Sequence, residues 1–458
     1  MNIVLCHFRA GETDGVSLEM EKWKLILEKL GHNVFILAGS LGSLSEGSTI
    51  TELQYTHPVN LKIVKNSYGP IIDYNNEDAL SEDISNLAVI IEKKLVDFIH
   101  EKKINIIVPN NFWSIGGGFS ATIAIYNAIK KTGIECIAHH HDFYWESCRI
   151  TYRSCQTVID ILDKYFPPEN IPNCKLKHVV INKISQNELI EYKNIKSNIV
   201  PNVFDFSAPL WKIDNYNSDF RQTLGLKSSD IIVLQATRIV TRKAIELAIE
   251  FIKELNSPEN IIRLQKNKLY NNETFTVQSR IVYLIAGKVE SDSHYLKQLI
   301  KLADQCNISM IFTGDIIEHS RCFQGKTKCY SLWDCYANSD FVTYTSIQEG
   351  WGNQFLETMF AKLPILIYEY PVFESDIKPY NFNTISLGNT FNTDNNNMVY
   401  VNKSIIRQAA VQAVNLLIDK EKRKKITEEN FTICKNNFSY DTLLKVLQNI
   451  FSNTSRDN

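Results

Sequence analysis

Two glutamates eight positions apart, Glu349 and Glu357, stand in the string Gln348-Glu349-Gly350-Trp351-Gly352-Asn353-Gln354-Phe355-Leu356-Glu357. An apolar run, Phe341–Thr343, precedes the string and a helical pattern over 355–361 ends it, so it reads as strand, loop and helix. Carboxylates accept hydrogen bonds from sugar hydroxyls, often two at once. One glutamate in the loop and one in the helix could therefore fix both ends of a donor, the first on a transferred sugar and the second on a ribose. Gly350 and Gly352 allow close backbone approach to a ligand. Asn353 and Gln354 lie in the turn before the helix, whose free N–H groups at its start favour negative charge. A Gly-rich helix cap with two surface acids is the plainer alternative.

A second string, Ala236-Thr237-Arg238-Ile239-Val240-Thr241-Arg242-Lys243, follows the apolar run Ile231–Ala236. Arg238 leaves the strand and Lys243 opens the next helix, a pair of cations suited to a diphosphate. A solvated basic turn would look the same in isolation. No D-x-D triplet occurs in the chain, so a leaving diphosphate would depend on Arg238, Lys243 and helix N–H groups. That is electrostatic stabilisation of charge growing in a transition state.

The third string is His139-His140-His141-Asp142-Phe143-Tyr144-Trp145-Glu146, after the apolar Cys136–Ala138. Three consecutive histidines do not all point the same way, and a metal site wants spaced ligands. No metal is expected. At least one histidine should serve packing, and His141, where the strand ends, is the candidate for a cleft residue. A fourth loop, Glu12-Thr13-Asp14-Gly15, joins the first strand to the first helix and reads either as a capped turn or as part of the same cleft, with Gly15 close to the donor.

The elements that must position these strings alternate along the chain. Short apolar runs, Ile3–Phe8, Asn33–Ala38, Ile104–Pro109, Cys136–Ala138, His178–Ile181 and Asn198–Val200, are separated by helical patterns. Buried strands between helices indicate parallel β/α units. The pattern restarts at Ile231–Ala236. The reading is α/β with two doubly wound halves: residues 1–210 and 211–435, with a final helical segment, 436–458, returning to the first half. Ligands of such sheets bind beyond the carboxyl ends of the strands, and two facing sheets would make a cleft. The loops at 40–56 and 110–119 would belong to an acceptor side, with Gly116-Gly117-Gly118 giving either close backbone approach or flexibility. A net charge of -2 over 458 residues argues against nucleic acid as a partner. Ten cysteines without a C-x-x-C pair read as reduced thiols of a cytoplasmic protein. No apolar run is long enough for stable membrane insertion.

Together these strings resemble the family-4 retaining glycosyltransferases of the GT-B fold. Glu349 and Glu357 match that family's E-x7-E motif, and Arg238 and Lys243 match its Arg-x4-Lys pair. The resemblance covers nearly the whole chain. It implies a hexosyltransferase with two Rossmann-like domains around a central cleft, taking a nucleotide-sugar donor and a small-molecule or glycan hydroxyl acceptor. It implies no cofactor and no essential metal. The diphosphate would lie on Arg238 and Lys243, the transferred sugar on Glu349, the ribose on Glu357, and His141 would position the sugar. Gly15, Gly350, Gly352, Asn353 and Gln354 would complete the donor site. Two departures stand out: Ala244 where glycine usually follows the lysine, and Asn353-Gln354 where apolar residues are usual. Longer strings, Asp14 to Met20, His140 to Glu146 and Glu349 to Glu357, resemble the mannosylglucosylglycerate synthase group. That resemblance favours GDP-mannose as donor and a small glycoside such as glucosylglycerate as acceptor. A UDP-glucose-type donor with another acceptor, a nucleotide-sugar epimerase and a non-catalytic nucleotide-sugar-binding protein are the competing readings.

Overall fold

The computed structural model describes residues 1–12, 14–146, 152–287 and 293–452. Contacts divide the chain into two units, Met1–Asn202 with Tyr440–Asn458, and Val203–Ser439.

Among its described residues the first unit is built on seven strands: β1 (Asn2–His7), β2 (Asn33–Ala38), β3 (Ser48–Thr49), β4 (Ile106–Pro109), β5 (Glu135–His140), β6 (Leu176–Val180) and β7 (Asn198–Ile199). They lie in the order β3-β2-β1-β4-β5-β6-β7, and every pairing is parallel. Strand order reverses between β1 and β4, so their carboxyl ends flank the crevice where such sheets take ligands. Among the described residues the connecting helices are α1 (Gly15–Lys29), α2 (Pro58–Ser67), α3 (Glu77–Lys102), α4 (Phe119–Thr132), α5 (Gln156–Tyr165) and α6 (Lys183–Lys193). Helix α1 forms where Met20, Trp23 and Leu27 repeat at helical spacing, and all three are buried. Its start is fixed by Asp14, whose carboxylate accepts from the N–H groups of Val16 and Ser17 at 3.1 and 3.2 Å.

The second unit repeats the plan. Its main strands are β8 (Ile231–Gln235), β9 (Ile281–Ile285), β10 (Ser309–Phe312), β14 (Phe341–Tyr344), β15 (Ile365–Ile367) and β16 (Ile385–Ser386), in the order β10-β9-β8-β14-β15-β16. All pairings are parallel, and the reversal lies between β8 and β14. The helices are α7 (Phe220–Thr223), α8 (Ile245–Leu255), α9 (Pro258–Lys266), α10 (Ser293–Gln305), α11 (Leu332–Asn338), α12 (Asn353–Phe360), α13 (Lys403–Ile418) and α14 (Lys420–Asn437). Between β10 and α11 the chain adds a small sheet of β11 (Ile317–Glu318), β12 (Cys322–Gln324) and β13 (Thr327–Ser331), whose short, polar strands left no period in the sequence.

The last helix, α15 (Tyr440–Ser452), belongs to the first unit. Its Phe451 meets Trp23 of α1 at 6.4 Å, and Lys177 donates to the Ile450 carbonyl at 2.8 Å. The division falls at Val203 and Tyr440, where the sequence reading had 211 and 436. Residues 204–211 pack inside the second unit: Phe204 lies 5.0 Å from Phe360, and Trp211 stacks on Trp333 at 4.1 Å. The Phe204 N–H also donates to the Phe438 carbonyl at 2.9 Å, which keeps 436–439 there as well.

Candidate active site

In the second unit the two strings with matching chemistry meet at the switch point. Arg238 and Lys243 follow β8, and Glu349 follows β14, its sheet neighbour. The turn Thr241–Lys243 is tied to the β14 loop by backbone: the Ile347 N–H donates to the Arg242 carbonyl at 2.9 Å, and the Thr345 hydroxyl to the Lys243 carbonyl at 3.0 Å. Lys243 is buried and its ammonium donates to Glu349 Oε1. Arg242 donates through one nitrogen to Glu349 Oε2 at 3.0 Å and to the Gln348 carbonyl at 2.9 Å. The sequence reading did not single out Arg242; its only signal was adjacency to Lys243.

Charge is unbalanced here. Burial pushes the Glu349 carboxyl up, but Lys243 and then Arg242 outweigh it and hold it below the usual carboxylate range. Lys243 is pushed down by burial, and its pairing with Glu349 does not restore it because Arg242 and Arg238 repel it. A buried ammonium that feels two guanidiniums and one carboxylate favours an arriving anion.

Lys243 does not open a helix, as the sequence suggested. Thr241–Lys243 is a 3-10 turn, Ala244 takes φ +42, and α8 begins at Ile245. The Ile245 N–H donates to the Tyr295 hydroxyl at 2.9 Å, so that N–H serves the protein. Ala244 stands in the left-handed region where glycine is cheapest, which explains physically why glycine is the usual residue there.

Glu357 faces inward from α12 and accepts from the Tyr336 hydroxyl at 2.8 Å. Gly350 lies in the loop and Asn353 is the first residue of α12, both half-buried. Gly352 has φ +130, and a Cβ there would lie 2.1 Å from the Tyr370 hydroxyl. Its glycine is thus required by Tyr370, which donates to the Trp351 carbonyl at 2.7 Å, independently of any ligand. Gln354 is buried and donates to the Thr343 carbonyl at 3.1 Å. Its amide nitrogen therefore ties α12 to β14, while its buried Oε1 meets no hydrogen-bond partner within the protein. A separate cavity of about 560 Å³ in this unit is lined by Trp211, His319, Arg321 and Trp333 among others, and by none of the predicted donor residues.

In the first unit the histidines alternate across β5 as strand geometry requires. His139 stacks on Trp23 of α1 at 4.5 Å, while His140 Nε2 lies 3.0 Å from His178 Nδ1. His141 comes last, beside Asn110 and Asn111, which follow β4. The His141 N–H donates to Asn111 Oδ1 at 2.7 Å, and its Nε2 lies 3.3 Å from Asn110 Oδ1. The Asn110 amide nitrogen donates to the Cys6 and Val108 carbonyls. Its oxygen therefore faces His141, whose Nε2 must carry the hydrogen. Burial pushes His141 down to about 3, with His7 adding to the effect, so the ring is neutral at pH 7 and its Nδ1 is an acceptor. His7 closes the group with Nδ1 2.9 Å from the Asn110 carbonyl. Sequence reading missed His7, Asn110 and Asn111, whose only signal is their place at two adjacent strand ends.

Asp14 caps α1 and pairs with Arg9 at 3.1 Å. Gly15 is exposed, and a Cβ on it would meet nothing within 4 Å, so the fold itself does not demand glycine there. The Gly116–Gly118 loop is a close approach: Gly116 has φ +67, and a Cβ on it would lie 2.4 Å from the Tyr68 hydroxyl.

Comparison with known proteins places these features in a family. A family model described as "Glycosyl transferases group 1" matches residues 217–432, the unit that carries Arg238, Lys243, Glu349 and Glu357. The chain is 38% identical over 453 residues to the mannosylglucosylglycerate synthase of Thermotoga maritima, covering 98% of this chain and 99% of the relative. It is 36% identical over 438 residues to the mannosylglucosylglycerate synthase of Petrotoga mobilis, covering 96% and 98%. Among solved structures, a glycosyltransferase of Rickettsia africae aligns with a TM-score of 0.62 at 14% identity over 100% of this chain and 99% of that one. The Anabaena HepE protein, solved with UDP and glucose, aligns at 0.62 and 14% over 99% and 100%. With its two doubly wound sheets, the chain is a GT-B glycosyltransferase and belongs to the family of the mannosylglucosylglycerate synthases.

Proposed function

We propose that the protein is a retaining mannosyltransferase that moves mannose from GDP-mannose to a hydroxyl of glucosylglycerate without a divalent metal. The observation that carries the reading is the cluster at the β8–β14 switch point, where Glu349 is held by Lys243 and Arg242 beside Arg238. Relatives named for the same product, aligned over nearly the full chain, support the choice of donor sugar and acceptor.

In this reading the diphosphate lies on Arg238 and Lys243. Lys243 turns from Glu349 toward the phosphate oxygens, and Arg242 keeps the carboxylate paired. Glu349 then accepts from hydroxyls of the mannose, and Glu357 from the ribose. As the anomeric C–O bond breaks, negative charge grows on the diphosphate and the two cations stabilise it. The leaving oxygen takes the proton of the acceptor hydroxyl, which attacks from the same face, so configuration is retained. His141, neutral and tied through Nε2–H to Asn110, offers Nδ1 to a sugar hydroxyl. Gly15, exposed at the start of α1 beside the Asp14 cap, leaves its backbone open to close approach by a ligand.

The test is a donor screen by thermal shift with GDP, UDP, ADP, GDP-mannose and UDP-glucose, first in EDTA and then with magnesium. A ligand at one hundred times its Kd adds about 2.7 kcal/mol of stability. GDP and GDP-mannose should shift the protein in EDTA, and incubation with glucosylglycerate should give an α-linked product by NMR. A response to UDP alone would overturn the donor, a strict need for magnesium the metal-free mechanism, and a β-linked product the retaining one.

A further inference from the structure

We propose that Arg153 reads the carboxylate of an acidic acceptor at the carboxyl rim of the first unit's sheet. The inference rests on the functional reading above, in which the acceptor is a glycerate glycoside and so carries a carboxylate as well as sugar hydroxyls.

The rim of β1, β4 and β5 is lined with tyrosines packed on the Gly116–Gly118 loop. Tyr68 donates to the Gly116 carbonyl at 2.9 Å. A Cβ built on Gly116 would lie 3.3 Å from Tyr144 Cβ, and one on Gly117 would lie 3.4 Å from the Tyr55 ring. Two arginines rest on these rings. Arg9 lies 5.9 Å from the Tyr55 centroid, and Arg153 lies 5.6 Å from Tyr68 and 5.5 Å from Tyr144. Both stand at the acceptor-side loops that follow β1, β4 and β5.

They differ in what they face. Arg9 already pairs with Asp14 at 3.1 Å. Half-buried Arg153 forms no ion pair with a described residue, and its NH1 donates to the Tyr152 carbonyl at 3.1 Å. Two aromatic rings hold the guanidinium by cation–π attraction, which limits where it can move. A planar fork with its N–H edge presented is the geometry that grips a carboxylate through two parallel hydrogen bonds. The segment is also tied down: the Ser154 N–H donates to the Ser67 carbonyl at 3.1 Å, and the Thr157 N–H to Glu77 at 2.6 Å. Pre-set orientation lowers the ordering cost of binding.

The experiment compares glucosylglycerate with glucosylglycerol, which replaces the carboxylate by a hydroxymethyl group, using the full chain and GDP-mannose. The wild type should prefer the acid in kcat/KM. In Arg153→Leu the ratio of acid to neutral acceptor should fall about 10- to 100-fold, the value of a charged hydrogen bond. Arg153→Lys should keep part of the ratio, and GDP-mannose affinity by thermal shift should report a folded donor unit in both variants. An unchanged ratio in Arg153→Leu overturns the inference, as does an equal loss on both acceptors. A wild type that binds GDP-mannose yet uses neither acceptor overturns the acceptor reading and this inference with it. A wild type active on the acid with an unmoved Arg153→Leu ratio sinks the inference alone.

Discussion

Removing either partner of the Lys243–Glu349 pair should destabilise the second unit unequally. The side chains of Lys243 and Glu349 are 8% and 10% exposed, so deleting one leaves the other in the interior. Lys243→Met leaves Glu349 with the Arg242 hydrogen bond at 3.0 Å, and the loss should be that of one charged hydrogen bond, about 1.5–3 kcal/mol. Glu349→Leu leaves the ammonium buried beside Arg242 with no carboxylate. An uncompensated buried charge costs about 3–5 kcal/mol. Deprotonation sets a ceiling: bringing a lysine from 10.5 to neutral form at pH 7 costs 3.5 × 1.36, or about 5 kcal/mol. Glu349→Leu should therefore exceed Lys243→Met by about 2 kcal/mol. The double variant removes the orphaned charge and should fall well short of the sum. The measurement is urea unfolding at pH 7, read as midpoint shifts at constant m. Equal single effects, or an additive double variant, would refute the claim that this carboxylate is shared by two cations.

Arg242→Met should weaken nucleotide-sugar binding about tenfold while changing GDP binding far less, since Arg242 holds the glutamate assigned to the sugar and not to the diphosphate; titration calorimetry with both ligands checks this, and equal losses would count against the assignment. Ala244→Gly should be nearly neutral in thermal unfolding. Relief of the left-handed strain at φ +42 returns about 1–2 kcal/mol. A lost buried methyl costs about 0.8 kcal/mol, and the greater freedom of the unfolded chain costs about 0.4–1 kcal/mol. A loss beyond about 2 kcal/mol would mean the methyl does more than fill space. Acid should destabilise the first unit well above the carboxylate range. Burial pushes His7 and His178 down to about 4 and His141 to about 3, from an ordinary 6.5. Below 6.5 the unfolded chain takes protons that the folded one refuses. Stability therefore falls with pH by about 1.4 kcal/mol per pH unit for each uncoupled histidine, and these groups contribute nothing above 6.5. In the second unit, Glu349, whose folded value is depressed, adds a separate loss only below about 4.5. Urea midpoints that stay flat from pH 7 to 5 would contradict the buried, neutral histidines.

What could be read from the sequence followed from periodicity and from strand ends. Strands such as Ile231–Gln235 and Ile281–Ile285 are wholly buried, so they appear as unbroken apolar runs, and the residues after them fall at the ligand-binding rim by topology alone. That is why Arg238, Lys243 and Glu349, which stand about a hundred residues apart, can be grouped from the sequence. The direction of a side chain within a rim is another matter. Arg242 and Lys243 are neighbours on a chain where neighbours usually diverge, and only the 3-10 turn at Thr241–Lys243 aims both at one carboxylate. Gln354 stands in the same string as Glu349, yet the first turn of α12 sends it to Thr343. The boundary between the units was blurred for a related reason: residues 204–211 carry aromatics that could pack on either half, and pairing of Phe204 with Phe438 and Phe360 decides for the second. The three histidines show the limit most clearly. Alternation fixed that all three could not share one face, but which one reached Asn110 depended on where β5 stopped, and a one-residue shift would have exchanged His141 for His140. Tertiary pairing of β5 with β6, ending at His140 and Val180, sets that register. The chemistry of a rim is therefore legible as a set of residue types, and its aim is written in turns and strand ends that only packing determines.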